Sequence, residues 1–173
     1  FQYSLHVQKS PQGETEHFEY LGETDGTDPR IKFCKQLISE CGSEGDVLAY
    51  NVSFERRMLQ ELIIVFPQYT AELTNIINRL VDLATPFQKK WYYTPAMKGR
   101  YTIKNILPAL VPELSYNDLE IQEGGTASNT FSQMAQGTFE GDIEQTRKNL
   151  LAYCKLDTLA MVKILNKLYE IVK

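Results

Sequence analysis

The strongest constraint on the fold is a long amphipathic helix near the C-terminus. Its apolar residues recur at helical spacing and form one stripe, which consists of Leu150, Leu151, Cys154, Leu159, Val162, Leu165 and Leu168. Tyr153 and Asp157 stand four residues apart, so their side chains share one face of this helix. A carboxylate beside an apolar stripe is costly to bury unless it is paired or binds a metal, and a neighbouring phenol can position a water. The spacing alone favours an alternative without a functional role, in which Tyr153 lies at the rim of the core and Asp157 is solvated.

A second constraint lies about a hundred residues earlier, where an apolar run gives way to a helical pattern. The run over 46–51 predicts a buried strand, which ends at Asn51 because Asn51 and Ser53 favour turns and helix N-caps. The spacing of the following apolar residues predicts a helix over 55–66. Glu55 therefore lies in the first turn of a helix at the carboxyl end of a strand, which is where sites assemble in open α/β sheets.

Two short motifs carry a resemblance to a known family. Asn51-x-x-Phe54-Glu55 and, later, Tyr153-x-x-x-Asp157 resemble the second and third motifs of the DnaQ-like 3′–5′ exonucleases, in their tyrosine-bearing (DEDDy-type) branch. Longer segments look like an uncharacterised prokaryotic domain family within that superfamily: Asn-Val-Ser-Phe-Glu at 51–55, Val-Asp-Leu at 81–83, Met-Lys-Gly-Arg-Tyr-Thr-Ile-Lys at 97–104 and Tyr-Cys-Lys-Leu-Asp-Thr-Leu-Ala-Met at 153–161. The resemblance covers most of the chain.

The resemblance implies a single α/β domain over 1–173, with an RNase H-like mixed sheet flanked by helices. It also implies hydrolysis of phosphodiester bonds in DNA or RNA with two divalent ions, Mg²⁺ or Mn²⁺, which carboxylates suit. By transfer of the motifs, Asp157 and Glu55 would be metal ligands, and Tyr153 would orient the attacking water.

Three further residues are assigned to the same site by resemblance. Asn51 and Phe54 would shape the substrate pocket. Asp82 belongs to a short apolar run over 80–83, which predicts the last strand, and would support the site. An aspartate at a strand end also caps the next turn in many proteins, so both interpretations of Asp82 stay open.

The chain departs from the superfamily pattern in two ways. The second motif usually has Asp where this chain has Glu55, and the first motif, Asp-x-Glu on the central first strand, is not found. Residues 2–8 resemble the second strand of the fold, and Glu14-x-Glu16 lies in a predicted turn. A strand-like sequence from residue 1 without an initiator Met suggests an excised piece of a larger protein. These departures favour the competing class, an inactive RNase H-like module that binds nucleic acid or a protein.

A missing central strand would leave the strands over 2–8 and 46–51 with open edges that face each other. Open edges recruit other strands, because their backbone donors and acceptors lack partners. Either the two strands pair directly, which requires a shift of ~4.8 Å, or a segment from a second copy fills the slot. We expect the second outcome, a homodimer, because closing the gap would disturb the helices packed on both faces.

The segment over 88–104 is the part of the sequence most typical of nucleic-acid binding. Its cations interleave with aromatic residues in an otherwise acidic protein. Cations can hold phosphates, and aromatic rings can stack on unpaired bases. We therefore assign substrate binding, with single-stranded DNA or RNA as the partner, to Lys98, Arg100, Tyr101 and Lys104. The alternative is a solvated loop whose aromatic residues attach it to the body of the protein.

Composition excludes some classes of protein. A net charge of −4 argues against a protein that coats nucleic acid by charge alone. Three cysteines without metal-type clustering predict free thiols in a reducing cytoplasm, and no apolar run approaches membrane-spanning length. His6 and His17 could face each other across a predicted hairpin, as a metal site or as surface or edge histidines.

The remaining patterns predict ordinary secondary structure. They indicate a helix that opens at Asp28-Pro29, a helix over 70–80, a helix over 103–110, and a final helix launched by Asp142-x-x-Gln145.

Overall fold

The computed structural model describes residues 1–117 and 119–172. The elements in these residues are, in chain order, β1 (Gln2–Gln8), β2 (Thr15–Leu21), α1 (Arg30–Cys41), β3 (Val47–Ala49), α2 (Ser53–Val65), α3 (Thr70–Asn78), β4 (Leu80–Asp82), α4 (Thr85–Gln88), α5 (Ile103–Leu110), α6 (Gly124–Ala135) and α7 (Ile143–Ile171), with short 3-10 turns at Pro67–Tyr69 and Pro95–Met97. The predicted hairpin, α1, α5 and α7 are confirmed. The strand predicted over 46–51 is shorter, and α2 begins at Ser53 rather than at Glu55.

The strands form two separate pairs rather than one sheet. β1 and β2 are antiparallel, with Gln2 opposite Leu21 and His6 opposite His17. β3 and β4 are parallel and joined through α2 and α3, with Ala49 opposite Asp82. Within the described residues no ladder joins the two pairs. The fold is therefore mixed α/β with two small sheets, and direct pairing of β1 with β3, one of the two expected outcomes, does not occur.

Both strand pairs pack against α1 on one side and against α7 on the other. On the α1 side, the Tyr3 hydroxyl donates to Glu40 Oε2 at 2.5 Å, and Val47 of β3 packs into the cluster around Cys34 of α1. On the α7 side, Gln2 Nε2 donates to the carbonyl of Leu150 at 2.6 Å. Leu48 of β3 packs into the cluster that contains Ala160 and Ile164 of α7. The result is a helix–strand–helix arrangement in which β1 and β3 each keep one unpaired edge.

The predicted apolar stripe of α7 is only partly the buried one. The helix begins where Asp142 caps it, since Asp142 Oδ1 accepts from the Gln145 amide at 2.9 Å. Leu150 of the predicted stripe is fully buried, but the other fully buried positions are Ala160 and Ile164. The rest of the stripe is half-buried, because α7 packs against the hairpin on one side and against α5 on another. A helix with two partners buries two faces partially rather than one face completely.

The cysteines and the helices agree with the compositional expectations. Cys34, Cys41 and Cys154 are unpaired thiols, and burial raises the pKa of the Cys154 thiol to about 12, which leaves it protonated and unreactive at neutral pH. Among the helices in the described part of the chain, none has the length and apolar character needed to cross a membrane.

Candidate carboxylate site

Asp82 joins the carboxyl ends of the two parallel strands. Its Oδ1 atom accepts from the backbone amides of Asn51 and Ala84, both at 2.9 Å. Asn51 adopts a left-handed backbone with φ of 66°, which turns the chain sharply out of β3 and into α2. This is the turn-capping contact that the second interpretation of Asp82 predicted. The same contact fixes the position from which Glu55 projects.

Glu55 carries the most unusual polar atom in this region. Its Oε2 atom is buried, and within the described residues it has no hydrogen-bond partner. Burial raises the pKa of the Glu55 carboxyl, and the nearby charge of Asp82 raises it further. A buried carboxylate oxygen without a donor is destabilising unless it takes a proton or a cation. Glu55 is therefore positioned to bind a positively charged group.

The two neighbours assigned to the substrate pocket are more open than expected. Asn51 is exposed, and its Oδ1 atom accepts from the Ser53 hydroxyl at 2.9 Å. Phe54 is 57% exposed, and the Arg57 guanidinium lies over its ring, 5.7 Å from the ring centroid. Phe54 is thus available for contact at the surface rather than packed into an internal pocket wall.

Asp157 is surrounded by phenols. The Tyr116 hydroxyl donates to Asp157 Oδ1 at 2.7 Å, and the Tyr153 hydroxyl lies close enough to lower the pKa of the same carboxyl. Burial raises the pKa of Asp157, and the two phenols and the Lys104 ammonium oppose that rise. Burial and the nearby carboxylate also raise the pKa values of both tyrosines, so both phenols remain protonated donors. Tyr153 can orient a water through its oxygen but cannot act as a base at neutral pH.

Tyr116 is the functional residue that the sequence analysis missed. The segment after Pro112 lacks helical or strand periodicity, yet Tyr116 and Ile121 are both buried. The Tyr116 and Tyr153 rings lie 6.3 Å apart between centroids. No local sequence signal identifies such a residue, because its contact with Asp157 spans 41 positions. The sequence indicates Tyr116 only as an aromatic residue between Pro112 and the glycine pair at 124–125.

The Glu55 and Asp157 carboxylates belong to different clusters of interacting groups. Asp82 acts on the pKa of Glu55, whereas Tyr116, Tyr153 and Lys104 act on that of Asp157. A chain of contacts connects the clusters, since the Tyr50 hydroxyl at the end of β3 donates to the carbonyl of Tyr101, just before α5. α5 in turn packs on α7. Convergence of Glu55 and Asp157 on one ion stays a prediction.

The donor set fits divalent ions only in part. Among the residues that the structure describes, no group of three or more histidine, cysteine, aspartate or glutamate side chains is arranged to hold a metal ion. The unpartnered oxygen of Glu55 suits a cation, but the Asp157 oxygens would have to exchange phenol contacts for metal contacts. Mg²⁺ needs about six oxygen ligands, so two carboxylates alone would hold it weakly.

Of the four substrate-binding residues predicted near α5, one lies beside a carboxylate of the site. The Lys104 ammonium lowers the pKa of Asp157 and forms an ion pair with Glu123 at 3.7 Å. Lys98, Arg100 and Tyr101 are exposed on the loop before α5. Beside Lys104 and Tyr116 lies an open cavity of roughly 230 Å³, lined by Lys104, Leu107, Pro108, Leu114, Ser115, Tyr116, Asn117, Gln122 and Glu123.

His6 and His17 form a hydrogen-bonded cluster beneath α7. Their rings lie 4.5 Å apart between centroids. The Ser4 hydroxyl bonds to His17 Nε2 at 2.9 Å and to the Thr158 hydroxyl at 2.7 Å, and the Thr158 hydroxyl bonds to His6 Nδ1 at 2.8 Å. The pair therefore faces each other as predicted, but the rings are half-buried against α7 rather than free on the surface.

Comparisons with known proteins identify a family but no activity. The family model described as "Domain of unknown function (DUF2779)" matches residues 1–102. Uncharacterized protein UU173 of Ureaplasma parvum is 27% identical to this chain, over 71% of the chain and 20% of the relative. The chain thus spans about a fifth of the length of this curated relative. No solved structure matches the chain. The expectation of an uncharacterised domain family is confirmed by these matches.

Proposed function

We propose that this chain, which belongs to the DUF2779 family of domains of unknown function, contributes to a metal-dependent exonuclease site. The site would be of the 3′–5′ type and would act on DNA or RNA. The observation that carries the proposal is the buried Glu55 Oε2 atom, which has no partner within the described residues and lies near a second carboxylate, Asp82. Such an oxygen is stabilised by a cation. The motif resemblance at Glu55 and Asp157 supplies the class of reaction.

Each residue of the site has a specific role in this proposal. Glu55 and Asp157 would hold divalent ions, Mg²⁺ or Mn²⁺, which supply charge stabilisation for phosphodiester hydrolysis and lower the pKa of a bound water. Tyr153, whose hydroxyl lowers the pKa of Asp157, would orient a water beside that carboxyl. Lys104 offers an ammonium to a phosphate beside the same carboxyl. Asp82 fixes the turn that carries Glu55.

The packing of the strands between α1 and α7 supports an RNase H-like arrangement. β1–β2 and β3–β4 both pack against these two helices, and each pair keeps an open edge. A central strand between these edges would complete a mixed sheet and bring the first-motif carboxylates to the site. The unpaired thiols suit a reducing compartment, and we assign the protein to the cytoplasm on that ground.

Residues 1–173 alone should hydrolyse nucleic acid slowly. Two of the four carboxylates of the resembled site are not identified in this chain, so ions held by the remaining pair would bind weakly and sit out of place. A displacement of ~1 Å can lower the rate about a hundredfold. The measurement is degradation of end-labelled single-stranded DNA and RNA with Mg²⁺ or Mn²⁺, alongside a longer protein that contains this domain. In the longer protein we expect metal-dependent degradation that Asp157→Asn abolishes.

Asp157→Asn is a suitable variant because it keeps an acceptor oxygen for Tyr116 and removes a desolvated charge. Glu144→Gln, an exposed carboxylate on the same helix, is the matched control and should leave degradation unchanged. Mn²⁺ binding, followed by electron paramagnetic resonance, should weaken in Glu55→Gln and in Asp157→Asn. Metal-dependent degradation that survives Asp157→Asn would contradict the proposal. Robust turnover by residues 1–173 would show that the chain already contains the first motif.

A second candidate function, binding without hydrolysis, fits the composition of the metal-ligating side chains better. No group of three metal-ligating side chains occurs within residues 1–117 and 119–172, and the Asp157 carboxyl already accepts a hydrogen bond from the Tyr116 phenol. These facts favour a module that binds nucleic acid or a protein without hydrolysis. In that case the longer protein binds single strands in the presence of Mg²⁺ but leaves them intact.

The open edges of β1 and β3 favour self-association of the chain. Each edge has backbone groups that no strand within the described residues pairs, and we propose that a segment of a second copy fills the slot between them. Light scattering from about 10 to 500 μM should show a concentration-dependent rise toward twice the monomer mass of 19.9 kDa. A mass that stays at the monomer value over this range would contradict the homodimer.

A further inference from the structure

We propose that an exposed surface before α5 binds single-stranded nucleic acid by base stacking, without a metal ion. This stacking surface consists of Lys89, Trp91, Tyr93, Lys98, Arg100 and Tyr101. The inference rests on the proposed function only for the class of ligand, because it requires neither Glu55 nor Asp157.

The charge distribution of the chain singles out this region. The chain has 22 acidic and 18 basic residues, but between Asp82 and Glu113 there are five basic residues and no acidic one. Four of the five are Lys89, Lys90, Lys98 and Arg100, which form no ion pair within the described part of the chain. A local excess of unneutralised cations on an acidic protein favours an anionic ligand at this place alone.

Three aromatic rings of this region are exposed to solvent. Trp91 is 70% exposed, Tyr93 55% and Tyr101 51%. The Lys89 ammonium lies over the Trp91 ring, 5.2 Å from its centroid. One face of the Trp91 indole is therefore open to a stacked base, and the Lys89 ammonium can bind the phosphate next to that base. Several large exposed aromatic rings within one short segment are typical of an interaction site.

Buried residues on both sides hold the surface in place. Phe87 and Met97 are buried, and the Tyr92 ring packs edge-on against Phe87 at 6.3 Å between centroids. The Trp91 amide donates to the carbonyl of Pro86 at 2.9 Å. Tyr92 thus attaches the segment to the body of the protein, as one interpretation of the sequence predicted, while its neighbour Trp91 stays outside. A platform held in this way loses little conformational entropy when a base stacks on it.

Single-stranded nucleic acid fits this combination better than other anionic partners. The bases of a single strand offer open faces for stacking and its phosphates repeat at short intervals, whereas the bases of a duplex are already stacked. An anionic membrane would also attract the lysines, but it favours Trp and Tyr beside aliphatic residues that insert into lipid. The surface presents tyrosines and cations without an exposed aliphatic side chain among them.

Trp91 is the only tryptophan of the chain, so its fluorescence reports on this surface alone. We titrate residues 1–173 with 15-nucleotide oligo-dT and oligo-U in EDTA, which prevents metal-dependent hydrolysis, and follow both Trp91 emission and oligonucleotide anisotropy. We expect saturable quenching with the single strands. Trp91→Ala should weaken binding by anisotropy about 10- to 100-fold. A preference for oligo-dT or oligo-U identifies DNA or RNA as the ligand.

Matched variants separate this surface from the rest of the molecule. Lys98→Ala and Arg100→Ala should each lower the slope of log K against log salt by about 0.7, the value for one phosphate contact to a single strand. Lys32→Ala on α1 and Ile64→Ala on α2, both exposed, should change neither slope nor affinity. Glu144→Gln on α7, an exposed carboxylate outside both surfaces, should bind like the wild type in EDTA. Because EDTA removes divalent ions, this test can fail while the proposed function stands, and the reverse also holds.

Four results would overturn the inference. Two concern Trp91 emission: no quenching up to about 100 μM oligonucleotide, or a blue shift with anionic phospholipid vesicles but not with oligonucleotides. Two concern affinity: unchanged affinity in Trp91→Ala, or equal or tighter binding of a duplex of the same length. Circular dichroism of each variant verifies that the fold is retained.

Discussion

Replacing Arg79 by alanine should lower the free energy of unfolding by about 3 kcal/mol. Its guanidinium donates to four carbonyls at the C-terminal end of α1 and in the loop after it, those of Cys41, Gly42, Glu44 and Gly45, at 2.6 to 3.3 Å. Hydrogen bonds to a charged donor contribute about 1.5–3 kcal/mol each and do not add fully, so the loss is smaller than their sum. Denaturant unfolding monitored by circular dichroism measures the change.

The control for this variant is Arg57→Ala on α2. Arg57 forms one exposed ion pair with Glu61 at 3.9 Å, so its removal should change stability by less than about 0.5 kcal/mol. Arg79→Lys should recover only part of the loss, because an ammonium cannot reach four carbonyls at once. Equal stability of Arg79→Ala and Arg57→Ala would show that the four contacts contribute nothing.

Acidification from pH 7 to pH 4.5 should lower the free energy of unfolding by about 2 kcal/mol through the histidine cluster. Burial, His17 and Lys155 lower the pKa of His6 to about 4 in the folded state. In the unfolded chain this pKa is about 6.5, so the unfolded state binds a proton that the folded state resists. Stability is therefore complete above pH 6.5 and declines as the pH falls toward 4. The magnitude is discounted because the ring is only half-buried.

Among the neighbouring groups, His17 adds to this decline, whereas the carboxylates of the candidate site oppose it. Burial and Lys155 also lower the pKa of His17, while Glu19 and Glu40 oppose this, so His17 changes stability in the same direction. The raised pKa values of Glu55 and Asp157 act in the opposite sense, since their contribution is largest below the unfolded pKa and is lost as pH rises.

The variant that tests the pH dependence removes both histidines of the chain. The histidines are absent from His6→Gln/His17→Gln, so its free energy of unfolding should no longer fall between pH 7 and pH 4.5. Denaturant midpoints at half-unit pH steps provide the measurement. A decline as large as that of the wild type would place its origin elsewhere.

The elements that the sequence predicts well are those with strong local signals. The hairpin of β1 and β2 follows from alternation around a Pro-Gly turn, and α5 runs over the predicted residues 103–110. Asp142 caps α7 as its spacing to Gln145 predicts. Each of these features depends on residues close together in the chain, so periodicity and capping chemistry are sufficient to find them.

The candidate site was predictable only as far as its motifs. Asp157 and Tyr153 do share a face and affect each other's pKa, which their spacing on one helix determines. Tyr116, which completes the surroundings of Asp157, comes from a segment without periodicity. Likewise, the tertiary contacts of Thr158 with His6 connect positions 152 apart in sequence. Motif matching identifies residues by type and order and carries no information about such partners.

The sequence by itself determined the local elements, the family and the position of the acid-free segment with its aromatic residues. Only the tertiary structure decided that the strands form two pairs, that Arg79 binds four carbonyls at the end of α1 and in the loop after it, and that Trp91 is exposed while Tyr92 is half-buried against Phe87. The physical reason is the range of the interactions. Hydrogen bonds within a helix or turn join near neighbours, whereas strand pairing and side-chain burial depend on which distant segments the packed helices bring together.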